Sequence, residues 1–466
     1  MSHLLEWLES NNGCPVCRAK VDKSSLCTNF KLKEAVEDYL SCQGRSTCDE
    51  CEEVPATCFC ADCDADLCVQ CFKVIHRPKL LRLHVAIPMD QKQSTAPSSP
   101  SHEIKVVIDW SQLCSNLRCC YDQMMKNEVF KIELDNNSIG TDGAIAIAEA
   151  LKVNSSVTNI SLTNNSIGNE GAAAISEALK VNSSLRFIYL ANNSIGPEGA
   201  KALAEALKVN SSICHINIKN NSIRGEGAAA IAEILMVNSS ISLIQLDNNS
   251  IGPEGATALA EALKVNSHIS KIFLINNSIG PEGAVKIADA LKVNSTVSWI
   301  YLGGNSIGLD GVSAIAAALK VNTSLTTIHL TSNSIDSEGF KSIADALKVN
   351  TVVNEISLGC NSMEMKGLTF IAEALKVNTA ITTIGLGGNG IDNQCVTSIA
   401  SVLKVNSTIT TIRLNSNSVG PTGAIALLEA LMVNTVISEI NLKKNSIDSD
   451  TQRSLESISI NRLKFS

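Results

Sequence analysis

The sequence predicts an α/β fold, a solenoid of repeated strand–helix units with small cysteine-rich modules at the N-terminus. Three observations support this prediction. An Asn recurs every 28 residues through most of the chain. A short apolar alternation precedes each of these residues, and an Ala- and Leu-rich run with helical spacing follows it. Eleven of the seventeen cysteines fall within the first 71 of 466 residues, which separates a small N-terminal part from the repeats.

Each repeat is centred on one of these residues, here called the turn Asn. Ile stands five residues before it in all twelve copies, and Leu stands three residues before it in eleven, with Ile218 as the exception. This alternation is typical of a short, half-buried strand that ends in a turn. The turn Asn residues are Asn137, Asn165, Asn193, Asn221, Asn249, Asn277, Asn305, Asn333, Asn361, Asn389, Asn417 and Asn445.

A turn containing Gly or Pro and then a helix follow each strand. Pro197, Pro253 and Pro281 stand where a first helical turn tolerates a missing N–H. A glutamate follows each of these prolines, which suits the positive end of a helix dipole. Each 28-residue unit is therefore predicted to be strand, turn and helix.

This pattern resembles the leucine-rich repeats of the ribonuclease-inhibitor-like class, over residues 129–464. The resemblance implies a horseshoe in which stacked units share one core, with strands on the concave side and helices on the convex side. The turn Asn is then structural, because its amide can bond backbone groups at each strand-to-turn bend. Residues 104–128 break the repeat, and we expect them to cap the first unit with Trp110, Leu113, Leu117 and Met124.

The exposed face of the predicted sheet is the candidate binding surface. Side chains two, four and six residues before each turn Asn should point away from the helices, because strand side chains alternate between faces. Aromatic residues and histidines occupy these positions in the third to eighth units, and grouped exposed aromatics mark interaction sites. The alternative is that aromatics merely suit strand surfaces. The candidate protein-binding patch comprises Phe187, Tyr189, His215, Phe273, Trp299, Tyr301 and His329.

A segment at residues 43–88 has the cysteine and histidine spacing of metal ligands, C-x2-C-x8-C-x2-C-x4-C-x2-C-x4-H-x7-H. Eight such ligands suffice for two tetrahedral zinc ions. Because so short a segment cannot build a large core, zinc would supply much of its folding free energy. The ligands are Cys48, Cys51, Cys60, Cys63, Cys68, Cys71, His76 and His84.

The same segment resembles the B-box zinc finger family. The resemblance implies a cross-braced arrangement in which the first and third cysteine pairs hold one ion, and the second pair and both histidines hold the other. One ion would thus be bound by Cys48, Cys51, Cys68 and Cys71, and the other by Cys60, Cys63, His76 and His84. Cys58 is left without a ligand role.

Residues 1–40 resemble the C-terminal half of a RING finger. The positions of its last three metal ligands are occupied by His3, Cys14 and Cys17. The resemblance implies that nearby side chains contact a ubiquitin-conjugating enzyme, and that the last of them also bridges to ubiquitin. These residues are Trp7, Pro15 and Arg18.

This RING-like segment departs from the family because a RING needs eight ligands, so neither of its zinc sites is complete in this sequence. Met1 and Ser2 match the gap between the fifth and sixth ligands. We interpret Met1 as an internal methionine of a longer RING protein; the alternative is a vestigial segment.

The remaining segments complete the predicted organisation. Residues 89–103 are rich in Ser, Pro and Gln, which indicates a flexible linker. The net charge of −8 and the absence of a basic tract argue against nucleic acid as a partner. No apolar run reaches about 18 residues and no signal peptide is recognisable, so we expect no membrane association and a cytoplasmic location, with nuclear access left open.

Two functions fit these features. The first is the substrate-recruiting part of a RING/B-box type ubiquitin ligase, whose repeats bind the target protein. Such a ligase has no nucleophile of its own and acts by proximity and orientation. The alternative is a non-catalytic scaffold with an inert RING remnant. A metallohydrolase is disfavoured because the zinc ligand sets are closed.

Overall fold

The structure is a computed structural model, and it divides the chain into two units, residues 1–123 and 124–466. Each unit is described by itself. The described residues are 58–60, 65–67, 86–88, 115–459 and 462–465.

The first unit contains a small antiparallel sheet of three short strands, with β1 in the centre. Cys60, at the end of β1, pairs with the first residue of each neighbouring strand, Ala65 and Ala86. The strands are β1 (Cys58–Cys60), β2 (Ala65–Leu67) and β3 (Ala86–Pro88).

The second unit is built on a parallel sheet of thirteen strands whose spatial order follows the chain. Equivalent residues pair in register, as Ile272 does with Ile300, so one repeat adds one strand. The strands are β4 (Lys131–Glu133), β5 (Asn159–Ser161), β6 (Phe187–Tyr189), β7 (His215–Asn217), β8 (Leu243–Gln245), β9 (Lys271–Phe273), β10 (Trp299–Tyr301), β11 (Thr327–His329), β12 (Glu355–Ser357), β13 (Thr383–Gly385), β14 (Thr411–Arg413), β15 (Glu439–Asn441) and β16 (Leu463–Lys464).

One helix follows each strand from β4 to β15. In the first of these helices the buried residues include Ala144, Ile147, Ala148 and Leu151, which form one stripe at helical spacing. The prediction of strand, turn and helix is confirmed. The helices are α1 (Ser115–Met125), α2 (Gly140–Val153), α3 (Gly168–Leu179), α4 (Pro197–Val209), α5 (Arg224–Leu235), α6 (Gly252–Val265), α7 (Gly280–Leu291), α8 (Gly308–Leu319), α9 (Ser337–Leu347), α10 (Met365–Val377), α11 (Asn393–Leu403), α12 (Pro421–Val433) and α13 (Ser449–Ser459).

The core of the solenoid is continuous from unit to unit. The Ile five residues and the Leu or Ile three residues before each turn Asn are at most 3% exposed. Burial of each such side chain contributes roughly 1.5–3 kcal/mol, but only when a neighbouring unit covers it. The stacked, leucine-rich-repeat architecture predicted from the period is therefore confirmed.

The turn Asn residues form the predicted ladder. Asn277 is fully buried; its Oδ1 accepts the N–H of Asn249 at 2.8 Å, and its Nδ2 donates to the carbonyl of Leu246 at 2.9 Å. The residues on either side, Asn276 and Ser278, both have a φ of 54°. This left-handed conformation is tolerated by Asn and Gly more readily than by most residues, which agrees with the frequency of Asn and Gly before the turn Asn.

A second buried asparagine ladder was not predicted from the sequence. Its members directly follow the exposed valine near the end of a helix, and each is 4–7% exposed. Asn154, which resembles a glycosylation acceptor in the sequence, is one of them, and its buried Nδ2 donates to Met124 O at 2.7 Å. The members are Asn154, Asn182, Asn210, Asn238, Asn266, Asn294, Asn322, Asn350, Asn378, Asn406 and Asn434.

An arginine ends this second ladder. Arg462 stands 28 residues after Asn434 and donates to the same kinds of acceptor, Asn434 O at 2.9 Å and Leu431 O at 2.8 Å. It precedes β16, a thirteenth strand that the sequence did not predict, in which Leu463 is buried.

Leu117 and Met124 of α1 are fully buried. Trp110 and Leu113 lie outside the described residues, so the capping role of residues 104–128 stays a prediction. In the described part of the chain, no helix is both long and apolar enough to cross a membrane.

Candidate functional site

The seven residues of the candidate patch lie on strands of the repeat sheet. On each of these strands the central Ile is buried and faces the helices, so the flanking side chains face the opposite side, the strand face. In a solenoid of this type the strand face is the concave side. The parallel register places residues from distant parts of the sequence side by side and divides the patch into two groups.

The first group spans β6 and β7. The ring of His215 packs edge-on against Phe187 and Tyr189, with centroids 5.9 and 5.1 Å apart. Its Nε2 lies 3.4 Å from the Oε1 of Gln245 on β8. The group presents two aromatic rings and an imidazole on one surface.

The second group spans β9 to β11 and forms a column of rings. Phe273 stacks on Tyr301 with centroids 4.3 Å apart and planes inclined by 17°, and Tyr301 contacts His329 at 4.1 Å. The ammonium group of Lys271 lies 3.6 Å from the ring centroid of Trp299, a cation–π contact. Stacked rings and a cation thus occupy three adjacent strands.

Charged residues beside this column were missed in the sequence. Arg413 Nη1 lies 2.8 Å from Glu355 Oε1, although the two residues are 58 positions apart. Gly385, on the intervening strand β13, pairs with Ser357 on one side and Arg413 on the other. The same Glu355 oxygen lies 3.6 Å from His329 Nε2. Arg413 and Glu355 stand four and six residues before a turn Asn, respectively, and these positions are the sequence signal that could have identified them.

Burial controls the protonation of both histidines. It lowers the pKa of His329 below 6.5, against a smaller opposing effect of Glu355, and the Arg413 guanidinium lowers it further. The pKa of His215 is also lowered by burial, partly offset by the contact with Gln245. Both imidazoles are therefore neutral at pH 7.

We expect the stability of the repeats to fall on acidification below about pH 6.5. Because the folded pKa values of His215 and His329 are lowered, the unfolded state binds more protons in this range, and stability is highest above the unfolded pKa. Thermal unfolding of the full chain from about pH 7.5 to about pH 5.5 measures this slope. The double variant His215→Gln, His329→Gln should show a shallower slope, and an unchanged slope would contradict the assignment.

Variation between repeats distinguishes the strand face from the other accessible surfaces. The residue sixteen positions after the turn Asn is Val in each of the first eleven units, although it is 59–68% exposed. The residue four positions before the turn Asn is of nine different types in twelve units. Ten of the twelve residues at the strand position are at least partly exposed, whereas Asn217 and Gly385 are buried, so packing leaves most of these positions free to vary. The strand face therefore differs from unit to unit, whereas the exposed helix ends are uniform.

The predicted zinc ligands are described only through the backbone of the small sheet. Cys60 ends β1 opposite Ala86, which follows His84 by two residues. At the other end of β1, Cys58 is opposite Leu67, which directly precedes Cys68. The other ligands lie outside the described residues, as do the RING-like residues His3, Trp7, Cys14, Pro15, Cys17 and Arg18.

Fold and motif together define a class of protein, in which a zinc finger is joined to a repeat solenoid. The model of the B-box zinc finger matches residues 43–89, and zinc binding follows from that match. The leucine rich repeat model matches residues 153–176, 181–204, 237–260, 321–344 and 405–428. The chain therefore carries a B-box zinc finger and leucine-rich repeats, modules that characterise zinc-binding protein-interaction proteins.

Comparison with whole proteins gives one curated relative, the mouse (Mus musculus) E3 ubiquitin-protein ligase Trim36. It is 31% identical over 119 residues, which cover 23% of this chain and 16% of the relative. The chain thus matches only a small part of that protein.

Among solved structures, the chain is similar to the actin-binding site 2 of leiomodin-1, with 28% identity, 28% of this chain and 76% of that chain covered, and a TM-score of 0.26. The structure of the TLR13–ssRNA13 complex matches at 14% identity, with 67% and 43% covered and a TM-score of 0.42. The tropomodulin C-terminal domain of Caenorhabditis elegans matches at 18% identity, with 38% and 92% covered and a TM-score of 0.27.

Proposed function

We propose that the strand face binds a protein partner through the patch on β6 to β11. The observation that carries this proposal is the diversification of the strand face beside uniformly exposed valines. Aromatic rings such as Trp299 and Tyr301 are enriched among residues that dominate interface energies. Their mutual contacts hold them in place before binding, which lowers the entropy lost on association.

The B-box in this proposal binds two zinc ions in the cross-braced arrangement. The donor set of six cysteines and two histidines suits tetrahedral zinc. The strand register supports the arrangement, because it brings Cys60 and the backbone next to His84 to one end of β1 and the backbone next to Cys68 to the other. The zinc ions would have a structural role, since each ligand set is closed.

We further propose that the partner is a substrate for ubiquitin transfer. The curated relative is a ubiquitin ligase, and residues 1–40 carry the RING-like ligands His3, Cys14 and Cys17. The repeats would hold the substrate while the RING-like segment recruits the charged conjugating enzyme, so that catalysis arises from proximity. Arg18 would orient ubiquitin and take no part as a nucleophile.

Ubiquitin transfer by a chain in which all eight RING ligands are present tests this proposal, because residues 1–466 carry three of them. With activating enzyme, a panel of conjugating enzymes and labelled ubiquitin, we expect that chain to form ubiquitin conjugates. Arg18→Ala should slow their formation about tenfold or more, since it removes an orienting contact, whereas the neighbouring control Lys20→Ala should not. Zinc content should be the same in both variants.

Absence of ubiquitin transfer would instead assign the scaffold function. In that case the chain captures its partner through the strand face, and Trp299→Ala together with Tyr301→Ala abolishes capture. No conjugating enzyme would then discharge ubiquitin in its presence.

A further inference from the structure

Two cations, Lys271 and Arg413, lie beside the ring column, although the chain as a whole has a net charge of −8. Lys271 makes no ion pair with any described residue; its contact is the face of Trp299. Arg413 gives one of its donors to Glu355 and remains 43% exposed, so other guanidinium N–H groups face solvent.

The carboxylates of this region are already engaged. Glu355 accepts from Arg413 and is 28% exposed. Asp247 is buried, and its Oδ1 accepts the N–H of Ile275 at 2.8 Å. The carboxylates beside the ring column therefore offer little to a cationic ligand, whereas Lys271 and Arg413 retain unused donors.

The spacing of the two cations defines the size of the ligand. Lys271 is on β9 and Arg413 on β14, five strands further along the sheet. Their backbones are about 24 Å apart at about 4.8 Å per strand, but the ammonium group lies over Trp299 on β10 and the guanidinium reaches Glu355 on β12, so the charged groups are about two to three strands, or about 10–14 Å, apart. An extended chain rises about 3.3 Å per residue, so about three to four residues span this distance.

We infer that the strand face recognises an extended acidic segment of its protein partner. One carboxylate would bind Lys271, a second about three to four residues away would bind Arg413, and an apolar or aromatic side chain between them would lie on the rings of Trp299 and Tyr301. This inference rests on the proposed protein-binding function of the same surface. It deepens that proposal by naming the chemistry of the partner.

A single-stranded nucleic acid could also stack on such rings. The observations favour protein, because phosphate binding normally relies on many cations along a groove, whereas this one has two at its ends. Binding of nucleic acid to this surface would therefore overturn the inference.

Selection of random peptides of about twelve residues on the full chain tests the inference, the length being chosen to exceed the span of the two cations. We expect enriched peptides to carry two acidic residues about three to four positions apart, with an aromatic or apolar residue between them. Fluorescence anisotropy of a synthetic copy then measures the effect of each variant. Lys271→Gln and Arg413→Gln should each weaken binding about five- to tenfold, because each removes a charge-assisted contact.

A substitution that is expected to strengthen binding separates recognition from a structural effect. Glu355→Gln releases the Arg413 guanidinium and should strengthen binding of the acidic peptide. Lys320→Gln, at an exposed helix end, is the matched control and should change nothing.

Three results would overturn parts of the account separately. Binding that is lost in Trp299→Ala but insensitive to Lys271→Gln and Arg413→Gln would refute the acidic ligand and leave the protein-binding patch intact. Peptide binding that Trp299→Ala and Tyr301→Ala leave unchanged would refute the patch itself. Tight binding of oligouridylate that Lys271→Gln weakens would assign the surface to nucleic acid.

Discussion

Replacement of Asn322 by Ala should destabilise the solenoid by about 3–5 kcal/mol. Its Oδ1 accepts the backbone N–H groups of Ser324 at 3.0 Å and Leu325 at 2.7 Å. Its Nδ2 donates to the carbonyls of Leu291 at 2.7 Å and Asn294 at 3.1 Å, in the preceding unit. The substitution leaves several buried backbone groups without these partners, and each such group costs about 1–3 kcal/mol.

The damage should be local, because repeat proteins are stabilised by contacts between neighbouring units. Hydrogen exchange should accelerate first at Ser324 and Leu325, and limited proteolysis should cut near this unit. Asn322→Asp should be nearly as harmful, since it keeps the acceptor but places a carboxylate oxygen against two carbonyls. Urea unfolding gives the magnitude.

Asn354→Ala is the matched control, because Asn354 is exposed and its side chain makes no hydrogen bond to the described residues. It should change stability by less than about 0.5 kcal/mol. Equal effects of Asn322→Ala and Asn354→Ala would contradict a structural role for the second ladder.

Removal of zinc should unfold the B-box and leave the repeats folded. Residues 43–89 are too few to build an independent core, and structural zinc contributes on the order of 10 kcal/mol to such modules. After treatment with a chelator, protease cleavage should concentrate in this segment, while the circular dichroism of the helices changes little. Cleavage spread equally through the repeats would contradict this expectation.

Two cysteines of β1 provide a sharp test of the ligand assignment. Cys58 and Cys60 are two residues apart on the same short strand, but only Cys60 has a ligand role in the cross-braced arrangement. Elemental analysis should therefore find two zinc ions per chain in Cys58→Ser and fewer in Cys60→Ser. The reverse result would show that the arrangement is assigned wrongly.

Periodicity explains why so much of the repeat fold follows from the sequence. The Ile and Leu before each turn Asn recur at a fixed spacing, so their burial and the role of Asn277 could be predicted from one unit. Asn322 was missed because its neighbours resemble a glycosylation motif, which offers another explanation for a recurrent Asn.

The candidate site shows the same limit. Aromatic residues such as Trp299 stand out by type in a sequence with 3% aromatics. Arg413 and Glu355 do not, and only the parallel register brings them together across Gly385. The sequence alone does not give the register of the strands. The register decides which charged residues lie beside the ring column.

Hydrogen exchange of the full chain, with and without a captured protein partner, tests the central claim most directly. The account predicts protection at the strands of the patch, residues 187–189, 215–217, 271–273, 299–301 and 327–329, and no comparable change at the helix ends that carry the exposed valines. Protection confined to the helices, or to residues 43–89, would contradict binding at the strand face.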